Sequence, residues 1–356
     1  MTKVYVGMSG GVDSSLAAAL LVEQGYQVTG VFMKNWTRDL PGAKCPWAND
    51  LADAKRVAVQ LGIDFKVFDF ESKYKHKVVD YMIDEYQAGR TPNPDIMCNQ
   101  EIKFKLFLET ALEQGADMIA TGHYARIQKA TNSQTRSTVE LKKAVDENKD
   151  QTYFLYRVTG KALKQTLFPI GDYTKAQVRA MAAERHIYTA NKKDSQGICF
   201  VGQVGIRDFL SQYVEAKPGD IIDQQSGKIL GRHDGAVFYT LGQRHGLDVG
   251  GGLPYYVVGK DMAKNEIYIT TDLNSESLWR TTVKLHSTHW INQAPINGTY
   301  DIRIRHRAPF IKANLTIHQN SQEINLVIDQ PQRAITAGQS TVIYDGEVCL
   351  GGGIVI

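Results

Sequence analysis

The residues best suited to chemistry form a stretch of small side chains near the start of this 356-residue sequence. The β-branched and aromatic run 4–6 predicts a buried strand, and Asp13 and Ser14 stand where a helix N-cap is expected. Glycines between them would let the backbone approach a ligand, and the dipole and N–H groups of a helix N-terminus favour an anion. The stretch therefore predicts a phosphate-binding loop, with an ordinary glycine-rich turn as the open alternative. Its residues are Gly7, Met8, Ser9, Gly10, Gly11, Val12, Asp13 and Ser14.

This loop matches neither of the two commonest nucleotide-binding patterns. It lacks the Lys-Ser/Thr pair that holds β- and γ-phosphates with their metal ion. It also lacks the three glycines of the dinucleotide fingerprint. The phosphate contacts are therefore expected from the backbone and the helix terminus.

Two cysteines stand in surroundings that favour a thiolate. Cys98 precedes Asn99, which can cap a helix, and the dipole at a helix N-terminus stabilises a thiolate nucleophile. Asp95 lies one short turn earlier, within reach for proton transfer. Cys199 follows the lysine pair 192–193, whose charges also favour ionisation. By spacing alone, a buried structural role explains each cysteine equally well.

A basic segment lies near the end of the chain. Arg303, Arg305 and Arg307 alternate with other residues, so a strand would place all three side chains on one face. Such a face suits the phosphate backbone of a nucleic acid. A solvated edge strand would have the same pattern.

The elements that must position these residues alternate between strand and helix. Buried runs at 28–33, 65–70 and 118–121 follow the first strand, and helical patterns separate them. This order predicts an α/β fold with a doubly wound parallel sheet, whose ligands bind at the carboxyl edge. Met33 and Gly122 end two of these strands and would lie near a nucleotide, although plain core packing also explains Met33.

The pattern changes in the second half of the chain. From about Pro218 the helical periods disappear, and short alternating strands with glycine, aspartate and asparagine turns replace them. We predict three domains: a nucleotide-binding domain over 1–210, a small β-rich domain over 211–275 and a β-barrel over 276–356.

Composition excludes several classes of protein. The net charge of +3 is too small to require or exclude a polyanionic partner. Four scattered cysteines without a Cys-x-x-Cys pair argue against a disulfide scaffold and a zinc ribbon; no metal-ligating residues are assigned, and an iron–sulfur cluster on these cysteines is left open. The phosphate loop begins too early to leave room for a signal peptide, and no run has the length of a membrane span. A cytoplasmic protein is expected.

Several separate motifs carry a resemblance to one family. Ser-Gly-Gly-x-Asp-Ser alone resembles the pyrophosphate loop of ATP pyrophosphatases. Five further motifs occur in order: Thr-Pro-Asn-Pro-Asp-x-x-Cys-Asn, Thr-Gly-His-Tyr-Ala, Lys-Asp-Gln-Thr-Tyr-Phe-Leu, Asp-Ser-Gln-Gly-Ile-Cys-Phe and Leu-Gly-Gln-Arg. Together with the segment from Ala334 to Gly353, they resemble the bacterial tRNA-specific 2-thiouridylases over nearly the whole chain.

The resemblance implies an adenine nucleotide α hydrolase-like fold and a two-step reaction. ATP, with Mg²⁺, would adenylate the C2 oxygen of the wobble uridine in tRNAs for Lys, Glu and Gln. Sulfur would then come from a persulfide on Cys199, supplied by a cysteine desulfurase or a persulfide relay protein. Cys98 would resolve that persulfide, leaving a Cys98–Cys199 disulfide, and Asp95 would act as acid or base.

The resemblance also implies which residues bind the ligands. The nucleotide would contact the phosphate loop, Met33 and Gly122. The tRNA would contact Asn93, Pro94, Asp95, His123, Lys149, Asp150, Gln151, Arg305, His306 and Gln339.

Two positions and two rival functions qualify this assignment. His306 stands where the family has a tyrosine, and Cys45 is better explained by packing than by catalysis. An adenylate-forming ligase for a small molecule would keep the loop but would not need two loop cysteines. A non-catalytic RNA-binding protein would not need an intact loop.

Overall fold

The computed structural model describes residues 1–39, 45–130, 138–194, 205–250, 252–317 and 323–356. The strands of the first half are β1 (Lys3–Gly7), β2 (Gln27–Lys34), β3 (Asp64–Asp69), β4 (Met118–Thr121), β5 (Arg126–Ala130), β6 (Thr138–Lys142) and β7 (Thr166–Leu167). The α-helices are α1 (Val12–Glu23), α2 (Trp47–Leu61), α3 (Glu71–Tyr74), α4 (Asp80–Gln87), α5 (Pro94–Met97), α6 (Phe107–Glu113), α7 (Thr152–Leu155), α8 (Gly160–Leu163), α9 (Lys175–Glu184) and α10 (Ile206–Leu210). Two π-helical segments, Lys75–Val79 and Cys98–Leu106, join α3 to α4 and α5 to α6.

The first half of the chain forms the predicted doubly wound domain. Its sheet has the order β3-β2-β1-β4-β7, and every neighbouring pair is parallel. Successive residues of β1 pack into different cores: Val4 and Val6 lie against α1 and α9, and Tyr5 lies against the α3–α6 side. Both faces of the sheet are therefore covered, as a parallel sheet requires.

The helical segment that carries Cys98 begins earlier than the sequence analysis predicts. Asn93 is its N-cap, and its side-chain oxygen accepts hydrogen bonds from the backbone N–H groups of Asp95 (3.1 Å) and Ile96 (3.4 Å). Pro94 takes the first helical position, where its missing N–H costs nothing. The prediction of Asn99 as cap was wrong, and Cys98 lies one turn inside the helical segment.

The second half of the chain contains two β structures. Its strands are β8 (Gly219–Asp223), β9 (Ile229–His233), β10 (Tyr256–Asp261), β11 (Glu266–Thr270), β12 (Trp279–Trp290), β13 (Gly298–Arg303), β14 (Ile311–Ile317), β15 (Ile324–Arg333), β16 (Ser340–Asp345) and β17 (Val348–Val355), with short 3₁₀ turns at Ala236–Phe238 and Glu276–Leu278. A small sheet has the order β10-β11-β8-β9. Strands β12 to β17 close into a six-stranded barrel through the pairing of β12 with β17. The central β domain and the C-terminal barrel were both predicted.

The barrel is joined to the nucleotide-binding domain by a shared sheet. The hairpin β5–β6 belongs to the first half of the chain, yet β6 pairs with β17 at Lys142 and Leu141. Below this junction, the buried side chains of Asp150 and Arg303 form an ion pair at 3.4 Å. The two domains therefore share both main-chain hydrogen bonds and a buried charge pair.

The ion pair corrects the prediction of a three-arginine strand face. Strand β13 ends at Arg303, which is buried against Asp150 and lies under the Phe310 ring, 4.0 Å from its centroid. Arg305 and Arg307 follow in a turn, where Arg307 has a positive φ of 61°. Alternation ended because the chain leaves the sheet, so only Arg305 and Arg307 of the three are exposed.

Within the described ranges, no helix combines the length and the apolar character needed to cross a membrane.

Candidate active site

A cavity of about 470 Å³ opens at the carboxyl ends of β1, β2 and β4. It gathers residues that the sequence analysis assigned to three separate roles. Its walls include the predicted nucleotide contacts Gly7, Met8, Ser9, Gly11, Val12, Asp13, Ser14, Met33 and Gly122. They also include Asp95, Cys98, His123, Lys149, Gln151 and His306. One chamber therefore joins the phosphate loop, the cysteine and the barrel.

The phosphate loop has the geometry of a backbone anion cradle. Gly11 is the N-cap of α1 and has no side chain to occupy the helix terminus. Gly10 does not line the cavity; its φ of +75° turns the chain, and a Cβ there would meet the Asp50 carbonyl oxygen at 2.3 Å. The Ser14 hydroxyl accepts a hydrogen bond from the N–H of Ser9 at 3.1 Å and fixes the loop. The exposed Ser9 side chain faces the cavity, as a phosphate donor should.

Gly122 allows β4 to approach this loop. A Cβ on Gly122 would lie 2.6 Å from the Ser14 nitrogen, a distance that no side chain can adopt. Steric exclusion therefore explains why a glycine stands here, next to the phosphate loop. Because the helix terminus points into the contact, any larger residue would displace the anion cradle.

A network of ion pairs connects Asp13 of the phosphate loop with Asp194. Lys175 contacts a carboxylate oxygen of Asp13 at 2.7 Å and one of Asp194 at 2.8 Å. The Asp194 carboxylate also forms ion pairs with Lys149 at 2.7 Å and with Arg179 at 2.8 Å. Although burial opposes ionisation, the hydrogen bonds from Lys149 and Lys175 hold the pKa of Asp194 at about 2. Asp13 is therefore an anchored part of the loop and does not cap α1.

The cysteine side of the cavity is electrostatically unusual. Burial raises the pKa of Asp95, and the positive charge of Lys103 opposes that rise. Burial also lowers the pKa of His123 far below its ordinary value, so the ring is neutral at physiological pH. A ring nitrogen of His123 lies 2.7 Å from the Thr121 hydroxyl. A carboxyl with a raised pKa beside the buried Cys98 suits proton transfer.

Two predicted tRNA contacts have positioning roles in the structure. The Asp150 carboxylate is 2 % exposed and accepts hydrogen bonds from the Ala144 N–H and the Thr152 hydroxyl besides pairing with Arg303. The Asp150 side chain does not line the cavity in this conformation, and its contact with RNA stays a prediction. Gln339 lies outside the cavity and donates to the Thr91 carbonyl oxygen at 3.1 Å, which fixes the chain before Asn93.

The remaining predicted contacts divide between cavity and surface. Lys149 lines the cavity, as does Gln151, whose amide oxygen accepts from the Tyr124 N–H at 2.8 Å. Asn93 and Pro94 lie outside the cavity wall and support Asp95 from the start of α5. Arg305 is exposed on the barrel turn.

His306 extends the barrel into the cavity. Its ring packs on Phe154 with centroids 4.4 Å apart. Burial, together with Arg307 and Arg303, lowers the pKa of His306 to about 4. A neutral aromatic ring at this point can stack on a base, which is the role the family's tyrosine would have.

Cys199 lies outside the described residues. Cys45 borders the cavity, and burial raises the pKa of its thiol. A thiol that resists ionisation fits the predicted packing role better than catalysis.

The sequence analysis left several cavity or network residues unassigned or expected them on a different element. Lys175 and Asp194 are distant in sequence from the loop that they anchor, so no local pattern reveals them. Arg307 reaches the cavity only because the chain turns after β13. Lys103 lies in the π-helical segment Cys98–Leu106 and lines the cavity.

Comparison with known proteins agrees with this architecture. Family models described as the tRNA methyl transferase HUP domain, its PRC-barrel domain and the aminomethyltransferase beta-barrel domain match residues 2–203, 207–271 and 280–355. Fold and site thus define a three-part protein with a HUP-type nucleotide-binding domain. The chain is 46% identical to the tRNA-specific 2-thiouridylase MnmA of Bacillus velezensis over 99% of this chain and 95% of that protein. The same identity and shares hold for the Bacillus subtilis protein of that name. The chain belongs to the tRNA-specific 2-thiouridylase family.

Solved structures show more distant likeness. A 4-thiouridine synthetase–RNA complex with bound ATP is 17% identical, with a TM-score of 0.38 over 60% of this chain and 50% of that chain. NMN synthetase from Francisella tularensis is 16% identical, with a TM-score of 0.31 over 55% of this chain and 66% of that chain. Neither likeness is close enough to bear on function.

Proposed function

We propose that this chain is a tRNA-uridine 2-sulfurtransferase. It uses ATP to adenylate C2 of the wobble uridine in tRNAs for Lys, Glu and Gln, and then transfers sulfur to give 2-thiouridine. The observation that carries the proposal is the single cavity in which the phosphate loop faces Asp95 and Cys98. Family membership supports the same reaction.

The first step makes the base oxygen a leaving group. The C2 oxygen attacks the α-phosphorus of ATP, the bond from that phosphorus to the bridging oxygen breaks, and pyrophosphate departs with the electron pair. The uracil N3 proton is lost, and the raised pKa of Asp95 suits that carboxyl to receive it. The first-turn N–H groups of α1 and the Ser9 hydroxyl stabilise the departing pyrophosphate.

The second step exchanges oxygen for sulfur. The Cys98 thiolate attacks the Cys199 sulfur of the persulfide, which forms a Cys98–Cys199 disulfide and expels hydrosulfide. Hydrosulfide attacks C2, the C2–O bond breaks, and AMP leaves with that electron pair. A dithiol reductant then restores both thiols. The role of Cys199 rests on the family resemblance, as does the sulfur source, a cysteine desulfurase or a persulfide relay protein.

Mg²⁺ would accompany ATP in the first step. Asp13 and Asp50 are the carboxylates on the loop side of the cavity, and each is already paired with a lysine, Lys175 or Lys192. No group of three metal-ligating side chains occurs among the described residues. These residues fit an ion held mainly by ATP phosphates with one protein carboxylate, Asp13, which is a common arrangement for Mg²⁺. The ion would balance charge on the leaving pyrophosphate.

The tRNA would lie across the cavity mouth. Arg305 and Arg307 would bind phosphates, and His306 would stack on a base. Lys149, Gln151 and His123 would contact the anticodon from the nucleotide-binding domain. The target base has to leave its stack to reach Cys98, which is buried.

A methyl transferase, which the family description names, would need a different site. The sulfonium methyl donor of most such enzymes carries no phosphate, so it would leave the backbone anion cradle without a ligand. The phosphate loop therefore favours adenylation.

The test is pyrophosphate release from ATP by the purified chain. We expect release with tRNA that carries a wobble uridine and little release with the same tRNA carrying cytidine there. Ser9→Ala should lower the rate about 100-fold, because a donor to the leaving group is lost. Release that is independent of tRNA, or unchanged in Ser9→Ala, would contradict the proposal.

A further inference from the structure

The helical segment behind Cys98 contains a buried acceptor without a partner. Asn99 is 2 % exposed and lines the cavity. Its amide nitrogen donates to the Phe154 carbonyl oxygen at 3.0 Å. Because a carbonyl can only accept, this bond fixes which end of the amide faces Phe154. The remaining atom, Oδ1, is buried and has no hydrogen-bond partner among the described residues.

Such an unpaired acceptor is unfavourable in the folded protein unless a ligand donates a hydrogen bond to it. Leaving a buried acceptor unpaired destabilises the folded protein, so native proteins rarely keep one. Here the residue that carries the acceptor lines the cavity and is the chain neighbour of Cys98. A bound donor would remove the cost, and the cavity is therefore better matched to a ligand that presents an N–H or O–H group at this point.

The position of Asn99 indicates which ligand that is. Asp95 and Asn99 are four residues apart, so they project from neighbouring turns toward the same cavity. Uracil has one donor on its pairing edge, N3–H, between two carbonyl acceptors. Asn99 would accept N3–H when the base binds, and Asp95, one turn away, would take this proton during adenylation.

We propose that Asn99 determines specificity for uridine by accepting a hydrogen bond from N3–H of the target base through Oδ1. The inference rests on the proposed function, since it names the group that reads the same substrate. It adds a residue to those that the family resemblance assigns. Cytosine carries an acceptor at N3, so its lone pair would face the Asn99 oxygen and oppose binding.

The test compares two bases in otherwise identical tRNAs. In 3-deazauridine a ring C–H replaces N3–H, and C4 carries a hydroxyl in place of the carbonyl. The wild-type chain should bind tRNA with wobble uridine about fivefold more tightly than tRNA with 3-deazauridine, the effect of one hydrogen bond. This comparison needs no protein variant, and equal affinities would overturn the proposal.

Protein variants then locate the effect. Asn99→Leu should bind both tRNAs with equal, reduced affinity, and its affinity for ATP should be unchanged. Asn148→Leu is the matched control, an exposed asparagine of the same cavity, and should keep the wild-type preference. A preference retained by Asn99→Leu would show that another group reads N3–H. Failure of the proposed function would appear separately, as wild-type protein that binds tRNA without forming AMP.

Discussion

At the scale of single residues, the side chains that take part in the proposed reaction were easier to predict than those that hold the site in place. The phosphate loop, Asp95 and Cys98 were predicted from local patterns and meet in one cavity. Asp150 and Gln339 were assigned to RNA, yet their side chains hold other parts of the protein. A polar residue in a motif shows that the position matters, but only the fold shows what its side chain contacts.

The two cysteines have unequal roles in the proposed reaction, and labelled sulfur can separate them. Cys199→Ser should carry no transferable sulfur, because an oxygen forms no persulfide. Cys98→Ser should accept label at Cys199 but should not complete turnover, since nothing resolves the persulfide. Peptide mapping after alkylation locates the label. Label on Cys98 in the Cys199→Ser protein, with thiolation intact, would reverse the assignment.

The two neighbours on the barrel turn should bind RNA by different forces. Arg305 is charged and exposed, so Arg305→Ala should weaken tRNA binding and reduce its salt dependence by about one counterion. His306 has a pKa of about 4 and is neutral at physiological pH. His306→Gln should weaken binding through lost stacking and leave the salt slope unchanged. Titrations of both variants at several salt concentrations measure this, and equal slopes for wild type and Arg305→Ala would refute the phosphate contact.

At the scale of elements, continuous apolar runs separated by helical patterns sufficed to predict the parallel sheet, because strands buried on both faces are apolar throughout. They did not suffice for the helical segment from Pro94 to Glu113, whose central part is π-helical. Helical periodicity in a sequence assumes 3.6 residues per turn, so it does not reveal a π-helical segment. The sequence pattern therefore does not show where a helix changes its number of residues per turn.

The position of Lys103 in the same cavity wall as Asp95 leads to a prediction about pH. The groups of the described wall around Asp95 are Cys98, Lys103 and His123, and the charge of Lys103 opposes the rise of the Asp95 pKa. Lys103→Met should raise that pKa further. With Asp95 as base, activity is lost as pH falls through its pKa, so the acid limb of kcat should move to higher pH by about one unit.

The control for this shift lies two residues further along the same segment. Lys105 pairs with Glu101 at 3.0 Å, and more than half of its side chain is exposed, 54%. Lys105→Met should leave the acid limb in place. Identical profiles for Lys103→Met and wild type would contradict the coupling of Lys103 to Asp95.

At the scale of the whole molecule, the barrel and the nucleotide-binding domain form one site. The cavity takes His306 and Arg307 from the barrel, and the Asp150–Arg303 pair fixes the barrel beside the loop that carries Lys149. The sequence predicted both domains but not this junction, because contacts between distant segments leave no periodic pattern. The boundaries at 210 and 275 and the cytoplasmic location stay predictions.

Breaking the junction should be costly. Arg303→Met leaves the buried Asp150 carboxylate without its cation, which should lower the free energy of unfolding by about 3–5 kcal/mol. Lys312→Met removes the exposed pair with Asp301 near the end of the same strand pair and should cost about 0–1 kcal/mol. Adding Asp150→Asn to Arg303→Met should recover part of the loss. Urea denaturation of the wild type and the three variants measures their free energies of unfolding. Equal losses for Arg303→Met and Lys312→Met would refute the role of the buried pair.

The most direct test of the account is the product itself. The purified chain is incubated with ATP, Mg²⁺, a persulfide donor and unmodified tRNA for Lys, Glu or Gln, and the digested tRNA is measured by mass spectrometry. We predict 2-thiouridine at the wobble position, formed with AMP in equal amounts, and none with Cys98→Ser. Uridine that remains unmodified while AMP accumulates, or sulfur at another position of the tRNA, would contradict the central claim.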